Sequence, residues 1–324
     1  MPEPICLLVN PSAGGGRSAR LAPEMERTLR GHGLTVRRVD TRDLDHARSL
    51  AREAAGAGET VVALSGDGLV GILADELRGI PGAVLGVLPG GRGNDLARVL
   101  EIPADATEAC ATIAGGVRRP VDLGCVRALG DEDTGERAFV GIASAGFDSD
   151  ANRIANEAPS WLGGLVYAYG ALRALLSWRP ARFELELDSG ERHSFAGYSI
   201  AAANSRAYGG GMLAAPDAML DDGLLEIVAI ERVGRLRFLA NLPRVFKGTH
   251  VQLPSVRVFR AAAVTISADR PFEMYADGDP IGSLPVHVRA LPGAVTLIVP
   301  AGGSPALGSS RDTAALAGEQ PAKA

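Results

Sequence analysis

Thr60-Val61-Val62-Ala63-Leu64-Ser65-Gly66-Asp67-Gly68-Leu69-Val70-Gly71 decides the fold. Thr60–Leu64 is a short apolar run without polar alternation, the pattern of a strand buried on both faces. Ser65-Gly66-Asp67-Gly68 is turn chemistry, and Val70–Leu77 returns to helical spacing. The same unit recurs on either side. Ile5–Val9 runs into Asn10-Pro11-Ser12-Ala13-Gly14-Gly15-Gly16, and the helix Arg20–Gly31 follows with Leu21, Met25 and Leu29 on one face. Thr35–Val39 precedes a helix over Leu44–Ala55. Val84–Leu88 runs into Pro89-Gly90-Gly91-Arg92-Gly93, with Asn94 placed to cap a helix over Asp95–Leu100. This alternation implies a parallel sheet with helices on both faces. Ligands bind at the carboxyl ends of such strands, where all three glycine-rich loops fall.

Beyond Pro120 the pattern changes. Phe183–Leu187, Ser194–Ala203, Leu224–Ile230, Val256–Phe259, Ala263–Ser267, Phe272–Ala276, Val286–Arg289 and Val295–Pro300 are short strand-like runs separated by turn residues. They predict an antiparallel β-sandwich. Helical stretches near Trp161–Trp178 and Arg235–Phe246 interrupt it. The expected organisation is an α/β domain over 1–123, a sandwich domain over 124–300 whose last strand can return to the first domain, and a disordered tail over 301–324.

Composition removes several function classes. Only Lys247 and Lys323 are lysines, and neither sits in a Walker A loop. The same scarcity argues against Schiff-base chemistry, which needs a buried lysine. A formal net charge of −5 gives no support to nucleic-acid binding and no overall pull toward anionic lipid. Cys6, Cys110 and Cys125 are odd in number and far apart, so they form neither a disulfide framework nor a metal pattern. A reducing cytoplasm fits. The N-terminus lacks a basic segment and reads as no signal peptide. No run is long enough for a transmembrane helix.

Gly66-Asp67-Gly68-Leu69-Val70-Gly71 also matches G-x-G-x-x-G, but it follows the third strand and the next strand ends without an acid for a ribose. A dinucleotide dehydrogenase is therefore disfavoured. Two readings of the loop stay open. It is a tight turn with Asp67 as a helix cap, or it holds phosphates on backbone N–H groups while Asp67 works with Mg²⁺. Likewise Asp277-Gly278-Asp279-Pro280 and Asp221-Asp222-Gly223 are plain turns or site residues. Trp161, Leu162, Leu165, Tyr167, Tyr169, Leu172 and Trp178 form a core helix or a lipid-facing one.

Six motifs fall in one order: Asn10 to Gly14; Ser65 to Gly68; Pro89 to Arg98; Asn204 with Gly209 to Gly211; Asp221 to Leu225; and Asp277 to Asp279. Together they resemble the diacylglycerol kinase catalytic family, which includes bacterial lipid kinases and sphingosine kinases, over about residues 4–300. The resemblance implies a nucleotide domain like those of NAD kinases and phosphofructokinases, joined to a lipid-binding sandwich. It implies transfer of the ATP γ-phosphate to a lipid hydroxyl, most simply diacylglycerol to phosphatidic acid. By position, Asn10, Pro11, Ser12, Ala13, Gly14 and Thr41 would line the nucleotide. Ser65, Gly66, Asp67, Gly68, Leu69, Val70 and Gly71 would form the triphosphate loop, completed by Arg92, Asn94 and Asp95. Asp279 would be the general base, with Asp277 beside it and Asp67 the key acid on Mg²⁺. Met219, Asp222 and Leu224 would hold a second, structural Mg²⁺. A peripheral contact with the inner membrane face and a homodimer are compatible with this assignment.

The chain departs from the family pattern at Ser65 and Leu69 (for Gly and Thr), Gly71 (for Asn), Arg92 (for Thr) and Asp279 (for Glu). An NAD kinase-like enzyme and a degenerate kinase that only binds lipid or nucleotide are the competing readings.

Overall fold

The computed structural model describes residues 4–130, 135–147 and 178–308, together with Ile154 and Arg173. Of the aromatic stretch, Trp161, Leu162, Leu165, Tyr167, Tyr169 and Leu172 lie outside the described residues.

The first domain is built from β1 (Pro4–Val9), α1 (Ala13–Gly31), β2 (Thr35–Asp40), α2 (Leu44–Gly56), β3 (Thr60–Ser65), α3 (Asp67–Leu77), β4 (Val84–Pro89), α4 (Asp95–Val99) and α5 (Ala106–Gly115). β1 pairs in parallel with β2 and β3, and β3 with β4. Every residue of β3 and β4 is buried. This is why these strands read as unbroken apolar runs: helices cover both faces. Ala22, Met25 and Leu29 of α1 and Leu50 and Ala54 of α2 join Leu7, Leu64 and Leu85 in one core.

The second domain adds β5 (Val117–Ala128), β6 (Arg137–Phe139), β7 (Ile142–Gly146), β8 (Ala181–Leu187), β9 (Arg192–Ala203), β10 (Leu225–Glu231), α6 (Arg235–Val245), β11 (Val256–Ala261), β12 (Ala263–Ala268), β13 (Glu273–Ala276), β14 (Asp279–Ser283) and β15 (Val286–Val299). The β8 sequence Ala-Arg-Phe-Glu-Leu-Glu-Leu buries every second residue, so one face packs and the other meets water. Phe183, Phe195, Tyr198, Phe272 and Phe238 fill the second core. Trp178 belongs there too, 3% exposed and stacked on Tyr198 at 6.2 Å between centroids. This ring is thus a core residue rather than a lipid contact.

β15 joins the two halves. The runs expected as two strands, Val286–Arg289 and Val295–Pro300, form one strand with a register irregularity between Leu291 and Val295. Its start pairs with β12, its end pairs in parallel with β4, and β5 runs antiparallel beside both portions. Asp122, at the middle of β5, fastens the crossing. It accepts from Gly223 N at 2.6 Å and from Gly293 N at 2.7 Å. Burial pushes its carboxyl pKa up, against the pull of those two N–H groups and with the help of Asp222 and Asp221.

Residues 301–308, expected as the start of a disordered tail, instead pack across both domains. Ala306 and Leu307 are buried, Ser304 Oγ donates to Val99 O at 2.6 Å, and Gly308 N donates to Asp221 at 2.8 Å. The composition of this segment hides its anchors, which are backbone groups and two short apolar side chains.

Gly124 of β5 lies under the Phe139 ring, where a Cβ would overlap ring carbons. Gly124→Ala should destabilise the fold by roughly 1–3 kcal/mol, measured by urea unfolding. Phe139→Leu in the same chain should recover part of that loss.

Candidate active site

Three loops at the carboxyl ends of β1, β3 and β4 nest on their glycines. A Cβ on Gly14 would strike the carbonyl oxygen of Gly90, and one on Gly91 would strike the Cα of Gly66. Gly14, Gly15 and Gly16 all have positive φ (61°, 65° and 85°), so regular α1 begins at Arg17. Gly90 N and Gly91 N both donate to Ser65 O, at 2.9 and 3.0 Å. Asn10 closes its own loop by accepting from Ser12 N at 3.2 Å and Ser12 Oγ at 2.8 Å. Thr41 Oγ1 donates to Val9 O at 3.2 Å, which ties the end of β2 to the first loop.

Gly66 precedes α3 with extended backbone, so the first N–H groups of this 11-residue helix have no intrahelical partner. Aligned peptide dipoles make that end favourable to anions. Two residues expected to line the phosphates do so less than the resemblance implies. Leu69 is 5% exposed and its side chain lies in the first core, leaving only its N–H. Val70 is likewise core, and its N–H donates to Gly66 O at 3.3 Å, so it offers nothing to a ligand.

Asp67 Oδ1 accepts from Leu96 N at 3.1 Å and so caps α4. Asn94, expected in that role, has φ 50° and makes no cap bond; its side chain instead bridges Gly91, accepting from N at 2.8 Å and donating to O at 3.0 Å. Asp95 is buried. Its Oδ2 accepts from Gly210 N at 2.7 Å and its Oδ1 from Arg98 at 2.5 Å. Both carboxylates converge on Gly93: a Cβ there would sit 3.0 Å from Asp67 Oδ2 and 3.2 Å from Asp95 Oδ2. Burial pushes the Asp67 pKa up and the nearby Asp95 charge adds to it, against backbone N–H donors that include Leu96. Two carboxylates so close, with one desolvated, suit a divalent cation of the Mg²⁺ kind. Such an ion takes one or two carboxylates and completes its shell with water and phosphate oxygens. Among the described residues no group of three or more His, Cys, Asp or Glu could hold a metal by itself.

The second domain delivers its acids through the β13–β14 turn. Asp279 is exposed, and its Oδ2 lies 3.7 Å from where a Cβ on Gly68 would be. Asp277 points inward, accepting from Val140 N and Gly141 N at 2.9 Å each. Its carboxylate fills the space over Gly71, where a Cβ would come within 2.6 Å of Oδ2. Asp277 is therefore a positioning residue for the turn that carries Asp279, and Gly71 is the residue that admits it.

Met219, Asp222 and Leu224 are not brought to these loops by any described hydrogen bond. Asp222 Oδ2 pairs with Arg260, Oδ1 accepts from Leu224 N at 3.0 Å, and Met219 Sδ accepts from Arg206 at 3.1 Å. The resemblance assigns the backbone carbonyls of Met219 and Leu224 and the carboxylate of Asp222 to a structural Mg²⁺; of these groups the carboxylate is paired with Arg260. Sequence reading also missed Asp122 and the Gly210–Asp95 bond. A signal for Asp122 existed: a lone acid inside the apolar run Val121-Asp122-Leu123.

The sequence matches the family described as "Diacylglycerol kinase catalytic domain" over residues 4–126, and the "YegS C-terminal NAD kinase beta sandwich-like domain" over residues 141–299. It is 35% identical over 302 residues to a diacylglycerol kinase of Mycobacterium tuberculosis, covering 91% of this chain and 95% of that protein. It is 31% identical over 299 residues to a probable lipid kinase YegS-like of Chromohalobacter salexigens, covering 89% and 92%. The fold is that of a putative diacylglycerol kinase crystal structure from Bacillus anthracis, with a TM-score of 0.75 at 20% identity, over 92% of this chain and 97% of the other.

Burial raises the pKa of Asp277 to about 7, outweighing the N–H groups of Val140 and Gly141, and the Asp67 charge adds to the rise. The folded state then keeps a proton that the unfolded chain releases near pH 4. The stabilisation is full below about pH 4 and is lost as pH rises through about 7. Denaturant unfolding from pH 4 to 8 should show wild type losing stability relative to Asp277→Asn across that window.

Proposed function

The chain belongs to the diacylglycerol kinase family, and on that footing we propose that it is an ATP-dependent lipid kinase that converts diacylglycerol to phosphatidic acid. The observation that carries this is the placement of Asp279. An exposed carboxylate of one domain faces Gly68 at the anion-favouring start of α3 in the other. A carboxylate that can accept a proton therefore lies beside a helix end that favours anions, which supports the layout phosphoryl transfer needs.

In this reading the N–H groups at the start of α3, with Gly66 and Gly91 in close apposition, hold the triphosphate. Asp67 and Asp95 would hold Mg²⁺. When bound, Mg²⁺ neutralises charge on the β- and γ-phosphates. Asp279 takes the proton of the lipid hydroxyl as its oxygen bonds to the γ-phosphorus, and the bond to the β-phosphate oxygen breaks to release ADP. Arg92 is exposed, follows β4 and has no carboxylate partner among the described residues. It is placed to meet phosphate charge where the family commonly has a threonine and where no P-loop lysine exists. The family and the diacylglycerol kinase names of its relatives support diacylglycerol as acceptor. A cytoplasmic enzyme working at the membrane face is part of the same reading; no described helix is long and apolar enough to cross a membrane.

Purified protein with labelled ATP, Mg²⁺ and a panel of diacylglycerol, sphingosine, phosphatidylglycerol and NAD should place label in phosphatidic acid. Label in NAD phosphate, or in no product, would overturn the reading. Asp279→Asn should lower kcat by about 10²–10⁴-fold with ATP binding kept, as judged by calorimetry with a non-hydrolysable analogue. Arg92→Ala should act the other way, raising KM for ATP more than it lowers kcat.

A further inference from the structure

Residues 232–268 contain six arginines, one lysine and no aspartate or glutamate, in a chain whose formal net charge is −5. Two of these cations are engaged locally: Arg257 pairs with Glu231 at 2.6 Å, and Arg260 pairs with Glu226 at 2.9 Å and with Asp222. The other five, Arg232, Arg235, Arg237, Arg244 and Lys247, are exposed on and beside α6. Arg235 donates to Trp178 O at 3.0 Å. None of the five has a carboxylate partner among the described residues.

The apolar residues of the same helix are divided between two faces. Phe238 is 7% exposed and packs edge-on to Phe147 at 4.9 Å and stacked on Tyr198 at 4.1 Å, which fixes the inner face. Leu236, Ala240 and Pro243 recur at i, i+4 and i+7, share the outer face and are all exposed, and Lys247 is exposed just past the helix end. Leu236 is 84% exposed and Phe246 55% exposed. Arg237 and Arg244 flank that face on one side, Arg235 and Phe246 on the other. The outer surface is thus an apolar centre bordered by cations. Folding does not require it, since the inner face alone packs on the core.

The helix also lies one loop from Asp95. Leu213 N donates to Val245 O at 3.0 Å, Met212 pairs with Tyr208, and between them Gly210 N donates to Asp95.

We propose that residues 232–247, centred on the outer face of α6, are the surface by which this protein docks on an anionic phospholipid bilayer, which brings lipid hydroxyls to the cleft. The proposal rests on the lipid-kinase reading for its purpose but not for its chemistry. A helix lying in the headgroup layer buries its apolar residues while its arginines and lysine meet anionic headgroups. A nucleic acid would satisfy the cations and leave Leu236 and Phe246 in water.

The test uses the full chain with vesicles of phosphatidylcholine alone and of phosphatidylcholine mixed with phosphatidylglycerol, sedimented at low and high salt. Wild type should partition to the mixed vesicles and be released by salt. Arg237→Gln, Arg244→Gln and Lys247→Gln combined should lower partitioning on the order of 100-fold, at about 1 kcal/mol per charge. Leu236→Ser should lower it about tenfold. Both variants should keep wild-type turnover of dihexanoylglycerol in neutral detergent, while turnover of diacylglycerol in mixed vesicles falls with partitioning. The proposal is overturned if the variants partition like wild type, if phosphatidylglycerol makes no difference, or if duplex DNA is bound as tightly as vesicles. Docking that depends on these residues without phosphorylation of any lipid would sink the kinase reading and leave the surface standing. Turnover in detergent without such docking would do the reverse.

Discussion

The Cα of Gly66 lies against the backbone of Gly91 with no side chain between them. The site depends on that approach. It lets the loops after β3 and β4 share one carbonyl, Ser65 O, as acceptor for two consecutive N–H groups. It also sets the start of α3 beside the start of α4, so that Asp67, on one helix, can cap the other through Leu96 N. A methyl group at either glycine would push these loops apart and separate Asp67 from Asp95. Dispensing with a Cβ at this contact costs backbone entropy in the unfolded chain, which the buried β3 and β4 strands on either side offset.

The same closeness fixes the electrostatics. Asp67, Asp95, Asp277 and Asp279 come from two domains, and the described cation bonded to any of them is Arg98, on Asp95. Backbone N–H groups therefore do most of the anchoring: Leu96 for Asp67, Gly210 for Asp95, Val140 and Gly141 for Asp277. Partial charges hold a carboxylate in place without neutralising it. An acid fixed in this way keeps lone pairs for a metal ion or a proton.

Much of the first domain was legible because its information is local. β1 to β4 are continuous apolar runs bounded by glycine turns, and each reads the same from either neighbour. The sheet beyond β4 was harder. β5 carries Arg118, Arg119 and Pro120 before its apolar half, and its partner β15 lies more than 150 residues along the chain. β14 begins Asp279-Pro280 and contains Gly282, a turn composition that becomes a strand only because β13 pairs with it. At the site, motif order found the loops, but the roles within them were set by tertiary contact. Asn94 looked like a cap until Asp67 took that bond from 29 residues away. Asp277 and Asp279 look equivalent in a two-acid turn, yet one is turned into Val140 and Gly141 and the other faces Gly68.

Net charge was the least informative reading of all, because it sums regions with opposite tasks. The cleft gathers acids from both domains, while the stretch from Arg232 to Ala268 has none. At an acidic site a free polyphosphate is repelled and a cation-bound one is not, so carboxylates that held Mg²⁺ would also select the charge state of a bound nucleotide. At the outer face of α6 the opposite sign favours an anionic surface within about a Debye length, ~8 Å at physiological salt. Separating the two signs across the molecule keeps each field from cancelling the other. A chain of the same composition with its arginines scattered would have the same −5 and neither property.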